Sequence, residues 1–264
     1  MIPVSQDGIK GTRCLIPEML IFSGIFLSKH IDTVSEFLYS KYTDTVSAYI
    51  ENDEGLKMRK ATPEQIVQKR EEIINACEQL YKSMSFREIT LKEIGNITSF
   101  SRPTIYNYFE TKEEIFLALF QREYDRWNED LTVILEGKGH LTRSELAEKI
   151  ASSLAGREQL LKLLSMNNYD MEANSRQEML TLFKKSYGRS VQLVSMLVQK
   201  FCQEMTASDI QNFIYIFFPF MFGIYPYTEV TEKQRIGMKE AGVDYVYQTA
   251  YELIYSCLIR LLGE

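Results

Sequence analysis

Apolar residues recur at three- and four-residue spacing along most of the chain, and no stretch alternates convincingly in twos, so the pattern predicts helices. Thr62-Pro63-Glu64-Gln65 opens the first one. It puts a threonine at the N-cap, a proline at the first helical position and a glutamine placed to reach back. Ile66, Ile73, Ile74, Cys77, Leu80 and Tyr81 then share a stripe to about Lys82. Thr90-Leu91-Lys92-Glu93 opens a short helix from Leu91 to about Ile97, and Ser101 caps another to about Asn107. Thr111-Lys112-Glu113-Glu114 opens a long helix with Ile115, Phe116, Leu119, Phe120, Trp127, Leu131 and Ile134 on one face, closed by Gly137-Lys138-Gly139. Three capping boxes between Thr62 and Glu114, each followed by apolar periodicity, reinforce one another.

The helical pattern continues. It predicts helices over Ser144 to Leu164 and Ser175 to Met205, the second with a break near Gly188. Ser208 is read as the cap of a very apolar run, Ile210 to Tyr225, which contains Pro219 and Gly223. A polar loop follows from Thr228 to about Lys239. The last helix is expected to carry Val243, Val246, Tyr247, Ala250, Leu253, Ile254, Cys257, Leu258 and Leu261 on its apolar face. The fold class is therefore all-α, with no internal repeat.

Residues 1–57 look like neither a domain nor a targeting peptide. The apolar stretch Cys14 to Leu27 is short for a membrane span and contains Pro17 and Glu18. It resembles the apolar part of a secretory signal only vaguely, since only Lys10 and Arg13 precede it and no small-residue cleavage site is clear after it. Met58-Arg59-Lys60 stands just before the first capped helix. Two readings stay open: an upstream extension preceding a natural start at Met58, or a genuine N-terminal arm, weakly helical over Ile31 to Ile50. The expected organisation is this 1–57 extension, a helix-turn-helix module at 58–115 and a helical domain at 116–264.

Charge and cysteine content narrow the function. Lys and Arg total 30 and Asp and Glu 36, for a net charge of −6. That excludes a wholly basic nucleic-acid binder but not a small reading module on an acidic partner domain. Residues 58–115 hold 9 basic and 9 acidic side chains, the least acidic part of the chain. Cys14, Cys77, Cys202 and Cys257 lie far apart and only His30 and His140 exist, so reduced cytoplasmic thiols are expected, with no zinc site, metal or cofactor. Phosphate loops, metal-ligand spacing and nucleophile–His pairs are missing, which argues against an enzyme.

The segment Thr90 to Asn107 reads as short helix, tight turn, short helix. That is the arrangement in which a second helix enters the major groove while the first crosses the backbone. Ile89, Ile94, Ile97, Phe100 and Ile105 are expected to lock the two helices, leaving Arg102, Thr104, Tyr106, Asn107 and Tyr108 outward. The runs Phe86-Arg87-Glu88-Ile89-Thr90-Leu91-Lys92-Glu93-Ile94, Ser101-Arg102-Pro103-Thr104-Ile105-Tyr106-Asn107-Tyr108-Phe109 and Lys112-Glu113-Glu114-Ile115-Phe116 resemble the DNA-binding domain of the TetR family of bacterial transcriptional regulators. The resemblance covers about Ile66 to Phe120. One departure concerns the turn, where Thr98-Ser99-Phe100-Ser101 stands for the family's usual Ala-Gly-Val-Ser. Ser99 takes the glycine position, where a left-handed conformation costs a side chain about 1 kcal/mol.

The resemblance implies DNA-binding roles for Thr90, Lys92, Ser101, Arg102, Pro103, Thr104, Tyr106, Asn107, Tyr108 and Lys112. Arg102 would pair with guanine or, equally, touch a phosphate or stand solvated. Tyr106 and Tyr108 would meet phosphates and thymine methyls, with packing on the first helix as the alternative for Tyr106. Lys112 would bind phosphate, while Thr90 and Lys92 would touch the opposite backbone. It further implies a homodimer through the last two helices, an operator of double-stranded DNA and a small-molecule effector, without membrane attachment. An apolar or aromatic effector fits the second half, where Trp127, Met166, Tyr169, Phe183, Tyr187, Phe218 and Phe222 are the candidate lining. Side chains of this kind at helical spacing more often form plain core. The resulting expectation is a cytoplasmic, ligand-responsive repressor. The alternative is a helical interaction module whose helix-turn-helix no longer reads DNA.

Overall fold

The computed structural model describes residues 62–166 and 168–263. The expectations for residues 1–57, for Met58 as a start and for Cys14 lie outside them. Among the described residues there are eleven helices and no strand. From Gln65 onward these residues belong to one compact unit.

Helices α1 (Pro63–Tyr81), α2 (Leu91–Thr98) and α3 (Arg102–Tyr106) form the first three-helix group. α4 (Lys112–Glu136) leads out of it into the rest of the chain. Ile115, Phe116, Leu119, Phe120, Trp127 and Leu131 are all fully buried along α4, as their spacing predicts. Burying each such side chain is worth about 1.5–3 kcal/mol, so this one stripe fixes the axis around which the chain packs. Its main partner is α8 (Gln177–Phe201).

The intervening helices depart from the expected boundaries. The run 144–164 is two helices, α5 (Arg143–Ala155) and α6 (Glu158–Leu164), parted at Gly156 and Arg157. Thr142 caps α5 through a reciprocal box with Glu145, so the helix starts one residue before the expected Ser144. A short α7 (Asn168–Ala173) precedes α8. The expected break at Gly188 is absent: a Cβ there would meet nothing within 4 Å, and α8 runs straight through.

α9 (Ala207–Thr228) starts at Thr206 with a box to Asp209, rather than at Ser208, and continues through Pro219 and Pro226. Both prolines are exposed, so water can serve the carbonyls that lose their N–H partner. The polar loop holds a helix, α10 (Glu232–Glu240), capped by Thr231 and Gln234 and burying none of its residues. α11 (Ala250–Leu261) starts at Thr249, which leaves Val243, Val246 and Tyr247 outside it, with Val243 and Val246 exposed. α11 packs on α5 and α9, and α9 on α6. Cys77 and Cys202 are buried and form no disulfide, and Cys257 is half-buried with its thiol pushed up to about 11 by burial. No single helix among the described residues is long and apolar enough to cross a membrane.

Candidate nucleic-acid interface

The pair α2 and α3 is built by capping and by three isoleucines. Thr90 adopts an extended backbone and its Oγ1 accepts from the N–H groups of Lys92 (3.2 Å) and Glu93 (3.4 Å). Ser101 Oγ accepts from Thr104 N–H (3.3 Å) and shares a 2.8 Å hydrogen bond with the Thr104 hydroxyl. Ile89, Ile94 and Ile105 are fully buried between the helices. Phe100 is half-buried against them, whereas Ile97 is exposed and takes no part in locking the pair.

The turn is made by Ser99 at φ 60° and ψ 17°, the only described non-glycine residue with positive φ. Thr98 steadies it from both sides. Its hydroxyl donates to the Ile94 carbonyl (3.0 Å) and accepts from Phe100 N–H (3.2 Å). Serine thus takes up the left-handed conformation expected of glycine, and the turn keeps its form.

Arg102, Pro103, Tyr106 and Asn107 are exposed on α3, with Tyr106 52% exposed. Thr90, Lys92 and Ser101 are exposed beside them, and Thr104 is half-buried. Tyr108 lies half-buried against the core, and its carbonyl accepts from Arg70 Nη1 (2.9 Å). Lys112 is turned inward. Its Nζ donates to the carbonyls of Phe86 (2.8 Å) and Ile89 (3.3 Å) and sits 4.1 Å from the Phe86 ring centroid. Two of its three ammonium donors therefore hold the loop before α2.

Three further groups, which the residue pattern did not single out, fix this module. Arg70 lies over the Phe109 ring at 4.3 Å and reaches Met179 Sδ on α8 at 3.6 Å. Arg122 and Arg126 on α4 pair with Glu71 and Glu78 on α1. Lys162 Nζ caps the Tyr81 carbonyl at the end of α1 (2.6 Å), and Tyr81 Oη donates to the Lys162 carbonyl (3.3 Å).

In the second half, Trp127, Phe183, Tyr187 and Phe218 come together with Phe120 and Tyr124. Phe183 lies 4.9 Å from Phe120 and 5.9 Å from Tyr124, and Tyr187 lies 5.6 Å from Phe218, ring centre to ring centre. Trp127 Nε1 donates to Ser153 Oγ (3.1 Å). Polar atoms line the same α4–α8 seam: Asn128 Nδ2 donates to the Ser186 carbonyl (3.0 Å) and Ser190 Oγ to Asn128 Oδ1 (2.7 Å). Two of the expected lining residues do not join. Tyr169 is 86% exposed and Phe222 is 38% exposed, because each points off its helix away from the ring cluster. Met166 is half-buried at the end of the α6 turn. Two clefts, of about 530 and 780 Å³, open elsewhere, and their lining includes Arg126, Arg157 and Lys162 in one and His140, Arg143 and Lys200 in the other.

Comparison with known proteins gives two consecutive family matches. Residues 73–119 match the profile described as "Bacterial regulatory proteins, tetR family", and residues 121–247 match "Tetracyclin repressor-like, C-terminal domain". No curated protein sequence matches the chain. Among solved structures, the transcriptional regulator FadR from Bacillus subtilis in complex with stearoyl-CoA is 17% identical with a TM-score of 0.50, covering 73% of this chain and 97% of that one. FadR from Thermus thermophilus in complex with lauroyl-CoA is 18% identical with a TM-score of 0.49, covering 73% and 93%. The MbdR regulator from Azoarcus sp. CIB is 18% identical with a TM-score of 0.47, covering 73% and 96%.

Proposed function

The chain belongs to the TetR family of bacterial transcriptional regulators, and from that premise we propose that it is a cytoplasmic dimeric repressor that leaves its operator when a small molecule binds. One observation carries the DNA-reading half: α3 is held from below by Ile105 while Arg102, Pro103, Tyr106 and Asn107 stand free at its surface. A helix placed this way enters the major groove with its first residues at the base edges. Arg102 is the candidate for a bidentate contact to guanine, worth about 1–3 kcal/mol of discrimination. Thr90, Lys92, Ser101, Thr104 and Tyr106 supply backbone and thymine-methyl contacts. Lys112 supports the module from inside and offers a phosphate at most its remaining donor. We read 58–115 as the reading domain and 116–264 as the effector and dimer domain.

The effector is assigned to the α4–α8 seam, where rings of Trp127, Phe183, Tyr187 and Phe218 adjoin the Asn128 and Ser190 polar pair. That lining suits a largely apolar molecule with one polar group. FadR from Bacillus subtilis is in complex with stearoyl-CoA, which makes acyl-CoA thioesters a first class to screen. A second subunit covers α9, where Tyr215, Ile216, Phe222 and Tyr227 are exposed, giving two reading heads about one helical turn apart, roughly 34–36 Å.

The test is a salt-dependent titration of the full chain on the duplex upstream of its own gene, with genome-wide selection of bound fragments beside it. Selective binding that survives competitor DNA is expected, falling linearly with the logarithm of salt. Weak binding, equal for every duplex in both experiments, would leave the helix-turn-helix as an interaction module without a DNA target.

A further inference from the structure

The start of α4 is fastened to the corner between α7 and α8 by a group of bonds that helix capping does not require. In an ordinary capping box the third-residue glutamate returns to the N-cap N–H. Here Glu114, fully buried, reaches elsewhere. Its Oε1 accepts from the Arg176 N–H (3.0 Å) and Nε (2.7 Å), and its Oε2 accepts from Arg176 Nη2 (2.8 Å) and the Glu110 N–H (2.9 Å). The N-cap hydroxyl of Thr111 also crosses, donating to the Asn174 carbonyl at 2.9 Å. Glu110 adds a second carboxylate 3.5 Å from Arg176 Nε.

The two ends of this fastening belong to different tasks. Glu114 follows the reading helix by eight residues and stands in the first turn of α4, the helix that leads out of the module. Arg176 is the N-cap of α8. The same helix sets Met179 against Arg70 of α1 and places Phe183 and Tyr187 in the ring cluster. A packed helix moves as a body. A molecule that enters among the rings and shifts α8 therefore pulls on Arg176. A carboxylate buried this deeply keeps its charge only with its guanidinium partner in place, so the fastening is either made or broken.

We propose that Glu114 and Arg176 are positioning residues for DNA recognition, forming a latch that sets the direction of the reading helix from the position of α8. The proposal rests on the DNA-reading function proposed above. Its test begins without DNA, as hydrogen exchange on the full chain. Arg176→Ala should speed exchange of amides in residues 100–114 about tenfold while leaving 190–201 and 213–224 unchanged. Arg176→Lys, which keeps the charge but loses the two-pronged contact, should fall between and serves in its place if the alanine variant fails to fold. No change, or the same acceleration in every segment, would overturn the latch, because the pair would then add only to overall stability. On a duplex selected by the wild-type chain, Arg176→Ala should lower the ratio of selected to unrelated binding about tenfold. If the wild-type chain selects no duplex, the exchange pattern still decides the latch, and the failure belongs to the DNA-reading function alone.

Discussion

The carbonyl oxygen of Phe100 lies 2.7 Å from the point that a Cβ on Gly95 would occupy. No real Cβ comes that close to a backbone oxygen, so the turn between α2 and α3 can fold back over α2 only because residue 95 has no side chain. The neighbour is backbone and cannot rotate aside. Gly95→Ala must therefore push the turn away from α2, and with it Ser101 and the start of α3. Overpacking of this kind costs about 1–3 kcal/mol, against roughly 1 kcal/mol that alanine gains in a helix interior. A urea melt should show net destabilisation, together with loss of selective DNA binding. A variant as stable as the wild type would mean that the turn yields more easily than its geometry suggests.

Ser99 makes the opposite prediction. It holds φ 60° with a side chain where glycine would hold it without strain. Ser99→Gly relieves the left-handed penalty of about 1 kcal/mol, part of which returns as extra freedom of the unfolded chain. A net gain of about 0.5 kcal/mol should raise the melting temperature by roughly 1–2 °C. A lower melting temperature would show that the Ser99 side chain contributes a bond worth more than the strain.

How much of this was legible in the sequence depended on the range of the interaction. Thr90, Ser101 and Thr111 cap helices as their spacing predicts, because a cap is decided within four residues. The same signal stands at Thr142, Thr206, Thr231 and Thr249, each followed three residues later by Glu, Asp or Gln. Reading Ser208 as a cap displaces the start of α9, and reading 228–239 as a polar loop passes over the box at Thr231 that opens α10. Part of the outward face follows the pattern, since Arg102, Tyr106 and Asn107 are exposed, whereas Thr104 is half-buried and Tyr108 packs half-buried against the core. Long-range polar bonds are not visible. Lys112 turns toward carbonyls more than twenty residues earlier, and Glu114 leaves its own cap for an arginine in another layer. Ile97 falls on the right spacing and is still 41% exposed.

Glu114 also gives a prediction about pH. Burial opposes its charge, but the bonds from Arg176 and the Glu110 N–H outweigh burial and hold its carboxyl below the ordinary value of 4.5. A carboxyl lowered by folding binds fewer protons in the native state than in the unfolded one. Its contribution to stability is therefore full above the ordinary value and is lost as pH falls through the native value. Denaturation curves at pH 7 and at successive steps below 4.5 should show the wild type losing stability faster than Glu114→Gln. Glu145, Asp209 and Glu252 are also lowered by their caps, but they contribute to both curves and drop out of the difference. Parallel curves would remove Glu114 from the acid response.

The subunit contact is best tested on the surface of α9. Tyr215, Ile216, Phe222 and Tyr227 are exposed along one side of that helix, with Pro219 between them, forming an apolar stripe. Cutting the chain after Glu240 would remove α11, the other expected interface helix. It would also empty the sites of Ile254 and Leu258, which are fully buried in the subunit's own core. Aggregation of such a fragment would thus say nothing about the dimer. Ile216→Glu separates the two effects, since residue 216 is 52% exposed and stands outside the buried core that Ile254 and Leu258 fill. A charge buried against a second copy leaves an unpaired carboxylate in the interface, while in a monomer it meets only water. Sedimentation should therefore give a dimer for the wild type and a monomer for Ile216→Glu, with helix content unchanged. Selective DNA binding should fall by about 10²-fold or more, as two linked heads become one. A variant that stays dimeric would move the interface off this stripe.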